Sequence, residues 1–174
     1  MWKKKETRVI FTHPRITLIE DTVRLTDGTE TDYVSIEGSA QSVGAIIRNG
    51  EGKLLILQEY TWPNDTRIWN FPGGMVNEHE SLEDALRREA KEEAGCEIVN
   101  LKEIGIMYPY HRRSCEQLHI FTADLAGMAE QELEAEEEIT LHWKTASEIT
   151  KLLNDEKVNN AHTLATWSLY LLHS

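Results

Sequence analysis

Cysteine is almost missing from this chain: 174 residues carry only Cys96 and Cys115, neither in a C-x-x-C pair. That excludes a disulfide scaffold and fits a reducing cytoplasm. Long apolar runs are absent too, and no stretch approaches the roughly 18–20 residues of a membrane span. The lysines of residues 1–9 precede no apolar segment, so the start does not read as a secretory signal; they read as solubilising a frayed terminus. Proline and glycine number four and ten, and no linker rich in them and no internal repeat divides the chain. Positive charge is scarce, with 18 Lys and Arg against 30 Asp and Glu and a net charge of −12. So acidic a chain is a poor partner for nucleic-acid polymers or anionic membranes. A small anion can still bind it through metal ions and a local cationic patch. The length suits one compact domain, and a hydrophobic fraction of 40% suits a globular one.

The opening third is strand-like. Residues 8–11, 16–19 and 22–25 are β-prone, and Asp27-Gly28 signals a hairpin whose returning strand is 33–36. Residues 43–48 and 54–58 flank a second hairpin at Asn49-Gly50-Glu51-Gly52. Further strands are expected at 101–107, 117–125 and 139–143, and helices at 147–153 and 161–172. An acidic run fills 130–138. Strands interleaved with helices make an α+β or α/β sandwich, a sheet covered by helices.

Residues 74–95 read GMVNEHESLEDALRREAKEEAG and are the most informative part of the chain. Ser81 followed by Asp84 has the form of a capping box, so a helix should start at Ser81 and stop at Gly95. Leu82, Ala85, Leu86 and Ala90 give it an apolar stripe. Glu89, Glu92 and Glu93, three and four residues apart, then crowd one side. Two carboxylates about 6 Å apart repel by roughly 3 kcal/mol at an effective dielectric of 20. A merely solvated charged face, with Arg88 and Lys91 as partners, is the plain reading of such a helix. Hard divalent cations are the other, and an oxygen-only donor set favours Mg2+, or Mn2+ as its substitute, over zinc.

Gly74, Glu80, Arg88, Glu89, Glu92, Glu93 and Gly95 stand at the spacing G-x5-E-x7-R-E-U-x-E-E-x-G-U, where U is apolar, here Ala90 and Cys96. Each fixed residue type occurs at roughly 6–7%, so this register arises by chance on the order of once in 10^8 to 10^9 placements. It resembles the signature of the Nudix hydrolases, which cleave nucleoside diphosphates linked to another group. The resemblance implies an α/β/α sandwich of the Nudix fold, a mixed sheet between helices with the signature as loop-helix-loop. The flanks Leu54-Leu55-Ile56-Leu57-Gln58-Glu59-Tyr60 and Ile68-Trp69-Asn70-Phe71-Pro72-Gly73-Gly74 are similar to the ADP-ribose and nucleotide-sugar pyrophosphatase branch, as is Pro109 after the box. That branch commonly has an acidic residue where this chain has Asn70, which leaves another nucleotide sugar open.

The resemblance also implies a division of the chain and a role for each site residue. By it, residues 1–42 form an N-terminal antiparallel β segment exchanged across a homodimer, and 43–174 the hydrolase domain. Glu89 and Glu93 are the implied principal metal ligands, with Glu92 and the backbone carbonyl of Gly73 completing the set. Arg88 pairs with Glu80, itself otherwise a simple helix-entry acid, and orients the carboxylates. Gly74 and Gly95 frame the helix. A loop glutamate, of Glu136, Glu137 and Glu138 best Glu137, activates the water, on a segment kept mobile by its own charge. Tyr60, Trp62 or Trp69 could stack on a base. Arg67, Arg112 or Arg113 could meet phosphate. His111 and His119 read as structural. The activity implied is Mg2+-dependent cleavage of a nucleoside diphosphate sugar, ADP-ribose-like. The alternatives are a nucleoside triphosphate or dinucleoside polyphosphate substrate, or a non-catalytic nucleotide-binding protein on the same fold.

Overall fold

The computed structural model describes residues 1–38 and 40–174. They fall into two compact units, Met1–Ala40 with Tyr108–Gln117, and Gln41–Met107 with Leu118–Ser174.

In the first unit, β1 (Lys3–His13), β2 (Ile16–Arg24) and β3 (Glu30–Ile36) form an antiparallel sheet in that order. The expected hairpin at Asp27-Gly28 joins β2 to β3, with Gly28 at φ 90°, a conformation glycine adopts without strain. Two expectations need correction. Residues 16–19 and 22–25 are one strand, β2, because Glu20 and Asp21 between them pair with Arg8 and Lys4 of β1. The N-terminal lysines are not a frayed end: Lys3 and Lys4 take part in the β1–β2 ladder. All eleven residues of β1 are exposed. Residues 108–117 belong here through hydrogen bonds: Ile36 N–H donates to Arg113 O at 2.7 Å, and the Tyr33 hydroxyl to Arg112 O at 2.5 Å. The Arg113 guanidinium lies over the Tyr33 ring, 5.2 Å from its centroid.

The second unit holds a seven-stranded sheet. Its strands are β4 (Gln41–Arg48), β5 (Leu54–Thr61), β6 (Thr66–Asn70), β7 (Gly73–Met75), β8 (Cys96–Met107), β9 (Gln117–Met128) and β10 (Ile139–Lys144). The main path runs β10-β5-β4-β9-β8, with β6 on β5 and β7 on β4. Neither β6 nor β7 was anticipated, being short and separated by Phe71-Pro72. The helices are α1 (Leu82–Ala94), α2 (Ala146–Asn154) and α3 (Ala161–His173).

Strand alternation sorts the apolar residues into two layers. Val43, Ala45, Ile47, Leu55 and Leu57 pack with Ala85, Leu86, Ala90 and Ala94 of α1. Their sequence neighbours Ile46, Leu54 and Ile56 pack with Phe71, Ile149 of α2 and Trp167 of α3. The fold is therefore an α/β/α sandwich, and burying each large aliphatic side chain contributes about 1.5–3 kcal/mol. Cys96 is buried, as the apolar motif position demands, and burial pushes its thiol up to about 11. Among the described residues no helix is long and apolar enough to cross a membrane.

Candidate active site

Helix α1 starts where local chemistry dictates. Ser81 is the N-cap in extended conformation, its hydroxyl oxygen accepting from Asp84 N at 3.1 Å while its O–H donates to the Asp84 carboxylate at 2.7 Å. Gly95 closes the helix at φ 61°, donating to Lys91 O at 2.8 Å. A Cβ there would come 2.2 Å from Ala129 O, so glycine is required twice over.

The last turn of α1 carries Glu93, a carboxylate only 7% exposed. Its Oε2 accepts from Gly73 N at 2.8 Å. A Cβ on Gly73 would sit 2.1 Å from Val43 O, so only glycine lets this backbone lie against β4 and offer its N–H. The next residue has a different reason: a Cβ on Gly74 would fall 2.3 Å from Glu89 Oε1. Gly74 thus keeps room for the Glu89 carboxylate.

Arg88 binds the group together. Its Nε and Nη2 donate to Glu80 at 2.9 and 3.0 Å, and Nη2 also to Met75 O at 2.9 Å. Its Nη1 reaches Glu89 at 2.7 Å and Glu92 at 3.0 Å. The hydrogen bonds from Arg88 hold the Glu80 carboxyl below the usual carboxylate range, and those to Glu80 above all raise the guanidinium further.

Around Glu93 the balance goes the other way. Burial pushes its pKa well above the ordinary value; the Gly73 N–H opposes this, and the charges of Glu89, Glu59 and Glu137 add to it. Burial also raises Glu89, against the opposing bonds and charge of Arg88. Glu59 is raised by burial, opposed by the Asn70 side-chain amide at 3.5 Å and reinforced by the charge of Glu137.

Sequence reasoning passed over Glu59, although the signal was there. It follows Leu55 and Leu57 on β5 with the same parity, so it continues the face that packs on α1. The two nearest glutamates of the acidic run differ in their partners. Glu137 lies in the turn just before Ile139, the β10 partner of Glu59, and its charge acts on Glu59, Glu89 and Glu93. Glu138 is held elsewhere: its carboxylate pairs with Arg67 at 2.9 Å, and its carbonyl accepts from Arg67 at 3.2 Å and Tyr60 N at 3.1 Å. The run is not a bare self-repelling loop. Glu137 N donates to Glu134 O at 3.1 Å, and Glu134 N to the Glu137 carboxylate at 2.9 Å, closing a turn.

The other expected site residues scatter. Tyr60 donates its hydroxyl to Asp65 at 3.0 Å. Trp69 pairs with Gln58 on the far face of the sheet, edge-on to His142 with ring centroids 4.8 Å apart. It packs with the α2–α3 layer and so is not gathered with the carboxylates. Trp62 is exposed. Arg112 and Arg113 lie in the first unit. His119 is buried in a structural pairing with Glu103 at 2.8 Å.

Among the described residues no three His, Cys, Asp or Glu side chains form a ready-made cation cage. Arg88 instead bridges Glu89 and Glu92. The donor chemistry nonetheless fits a hard divalent cation. Every side-chain donor is a carboxylate oxygen, and the charges of Glu59, Glu89 and Glu137 all bear on Glu93.

A model of the NUDIX domain matches residues 38–167. The chain is similar to the CMP-5'-(N-acetyl-N-hydroxy-3-aminopropyl)phosphonate hydrolase of Streptomyces rubellomurinus, 22% identical over 162 residues, 93% of this chain and 78% of that protein. It is similar also to the ADP-ribose pyrophosphatase of Bacillus subtilis, 26% identical over 158 residues, 88% of this chain and 84% of that one. The crystal structure of an ADP compounds hydrolase superposes with a TM-score of 0.88, covering 98% of this chain and 92% of that one. At 17% identity that likeness speaks to the fold.

Proposed function

This chain belongs to the NUDIX domain family, and on that premise we propose an Mg2+-dependent pyrophosphohydrolase that splits a nucleoside diphosphate sugar, ADP-ribose-like, into a nucleoside monophosphate and a sugar phosphate. One observation carries the reading: buried Glu93, fixed by Gly73 N, faces the charges of three further carboxylates. A buried carboxylate without a cation is costly. Its position among others is reasonable only if a cation joins them.

Glu89, Glu92 and Glu93, with the Gly73 carbonyl, would hold Mg2+. The bound cation supplies neutralisation of charge on the pyrophosphate and acidifies a nearby water. The chain's own residues do the rest. Arg88, anchored on Glu80 and Met75 O, fixes where Glu89 and Glu92 point. Gly74 leaves the Glu89 carboxylate its space. Glu137 takes the proton of the attacking water; the water oxygen joins one phosphorus, and the bridging oxygen leaves with the other. Arg67 and Tyr60, both bonded to the carbonyl of Glu138 next to Glu137, are the proposed substrate contacts.

The substrate class draws support from two relatives whose names join a nucleotide to another group, ADP-ribose in one and a CMP-linked phosphonate in the other. A panel of nucleoside diphosphate sugars assayed with Mg2+ and Mn2+, products identified by mass, tests it. ADP-ribose should yield AMP and ribose phosphate. Turnover confined to nucleoside triphosphates or dinucleoside polyphosphates would replace the substrate class and keep the site.

The functional form is a homodimer in a reducing cytoplasm. Val9, Ile10 and Phe11 are exposed on β1, which a second subunit would cover. Light scattering should give about 40 kDa, twice the 20.0 kDa chain; the monomer mass at micromolar concentration would refute it.

A further inference from the structure

The geometry points to Glu59 as an additional carboxylate of the cation site, contributed by the sheet rather than by the signature helix. This rests on the metal-site reading above and extends it to a residue outside the motif.

Three features of the fold converge on Glu59. Strand parity aims it at the α1 side, since Leu55 and Leu57 of the same strand are packed into the α1 layer. It stands where the apolar stripe of β5 stops, half-buried at the end of the core. Its β10 partner is Ile139, the first residue of the strand after the turn that holds Glu137. The charge of Glu137 acts on Glu59, and both act on Glu93, which comes from the helix.

Among the described residues no Lys, Arg or His forms a salt bridge with it, and its hydrogen-bond partner is the neutral amide of Asn70 at 3.5 Å. The Thr163 hydroxyl, which donates to Trp69 O at 2.9 Å, also lies 3.3 Å from Asn70 Oδ1, and the Asn70 amide N–H faces the Glu59 carboxylate. Arg88 of the motif is committed to Glu80, Glu89, Glu92 and Met75 O. A hard divalent cation shared with Glu93, directly or through a bound water, compensates the charge of Glu59.

The test is Mn2+ binding to the nucleotide-free protein, followed by electron paramagnetic resonance, for the parent, Glu59→Gln and Glu59→Asp. Glu59→Gln should weaken Mn2+ binding at least tenfold or remove one bound ion. Glu59→Asp, keeping the charge, should stay within about threefold of the parent. Without metal, Glu59→Gln should melt no lower than the parent, because it removes a half-buried charge. Parent-like affinity and stoichiometry in Glu59→Gln overturn the assignment. So does an equal loss in both variants with a lowered metal-free melting temperature, which marks a packing role. A parent that binds no Mn2+ overturns this inference and the metal-site reading together; one that binds it but hydrolyses no nucleoside diphosphate sugar overturns the substrate class alone.

Discussion

The two faces of the central sheet are built from the same strands and do opposite things. On the α2–α3 face the alternating residues end in aromatic packing: Phe71 stacks on Trp167 at 6.3 Å and Trp167 on Tyr170 at 5.2 Å. On the α1 face the same alternation runs through aliphatic residues and then meets Glu59, Glu89 and Glu93. In β5 the division is between consecutive residues, with Gln58 opposite Trp69 and Glu59 oriented to the carboxylates. One face holds the sheet together, and the other gives up stability to carboxylates whose charges oppose one another. Stability and chemistry are therefore separable by substitution.

The largest expected effect is on the packing face. Trp167→Ala removes a side chain 2% exposed and should cost about 3–5 kcal/mol in denaturant unfolding. Mn2+ affinity of the folded fraction should be unchanged; a proportional loss would show that the faces are coupled. Next, Glu93→Gln should lower kcat at least a hundredfold, about 2.7 kcal/mol, while the metal-free protein melts as high as the parent or higher. Turnover within threefold at saturating Mg2+ would end the assignment of Glu93. Glu137→Gln should cut kcat about a hundredfold with Mn2+ binding intact, as for loss of a general base. Glu138→Gln, whose parent carboxylate is held by Arg67, should fall far less. Equal losses would defeat the choice of Glu137.

The smallest effect is in pH dependence. The folded-state pKa of Glu93 lies above its unfolded value, so between the two the folded protein binds more protons. Stability of the metal-free parent relative to Glu93→Gln should accordingly fall as pH rises from the ordinary carboxylate range towards that raised value. Saturating Mg2+ should flatten the difference. A parent that gains on the variant with rising pH would contradict the burial of that charge.

Much of the fold and the site was legible in the residues because local rules coincided with global ones. Ser81 and Gly95 bounded the helix correctly, and the i, i+3, i+4 spacing brought Glu89, Glu92 and Glu93 to one side of it. Glu59 escaped because its parity with Leu55 and Leu57 tells which face it takes, but not that carboxylates gather there until the pairing of β5 with β10 is known. Trp69 misled for the matching reason: an aromatic near the motif says nothing of which face it takes, and pairing with Gln58 put it on the far one. The strand β1 was cut short because its lysines look like a solvated tail. Only the facing acids of β2 reveal them as ladder residues.

The Arg88 bridge between Glu89 and Glu92 has a consequence for how the protein fares when metal is scarce. On the proposed cation reading, the guanidinium would be a tethered placeholder. It would fill part of the charge vacancy a departing cation leaves, so that stripping the ion would exchange one counter-charge for another and leave the helix folded. That would be the reverse of small zinc modules, whose shape collapses with the ion. Chelation would then idle the protein without dismantling it.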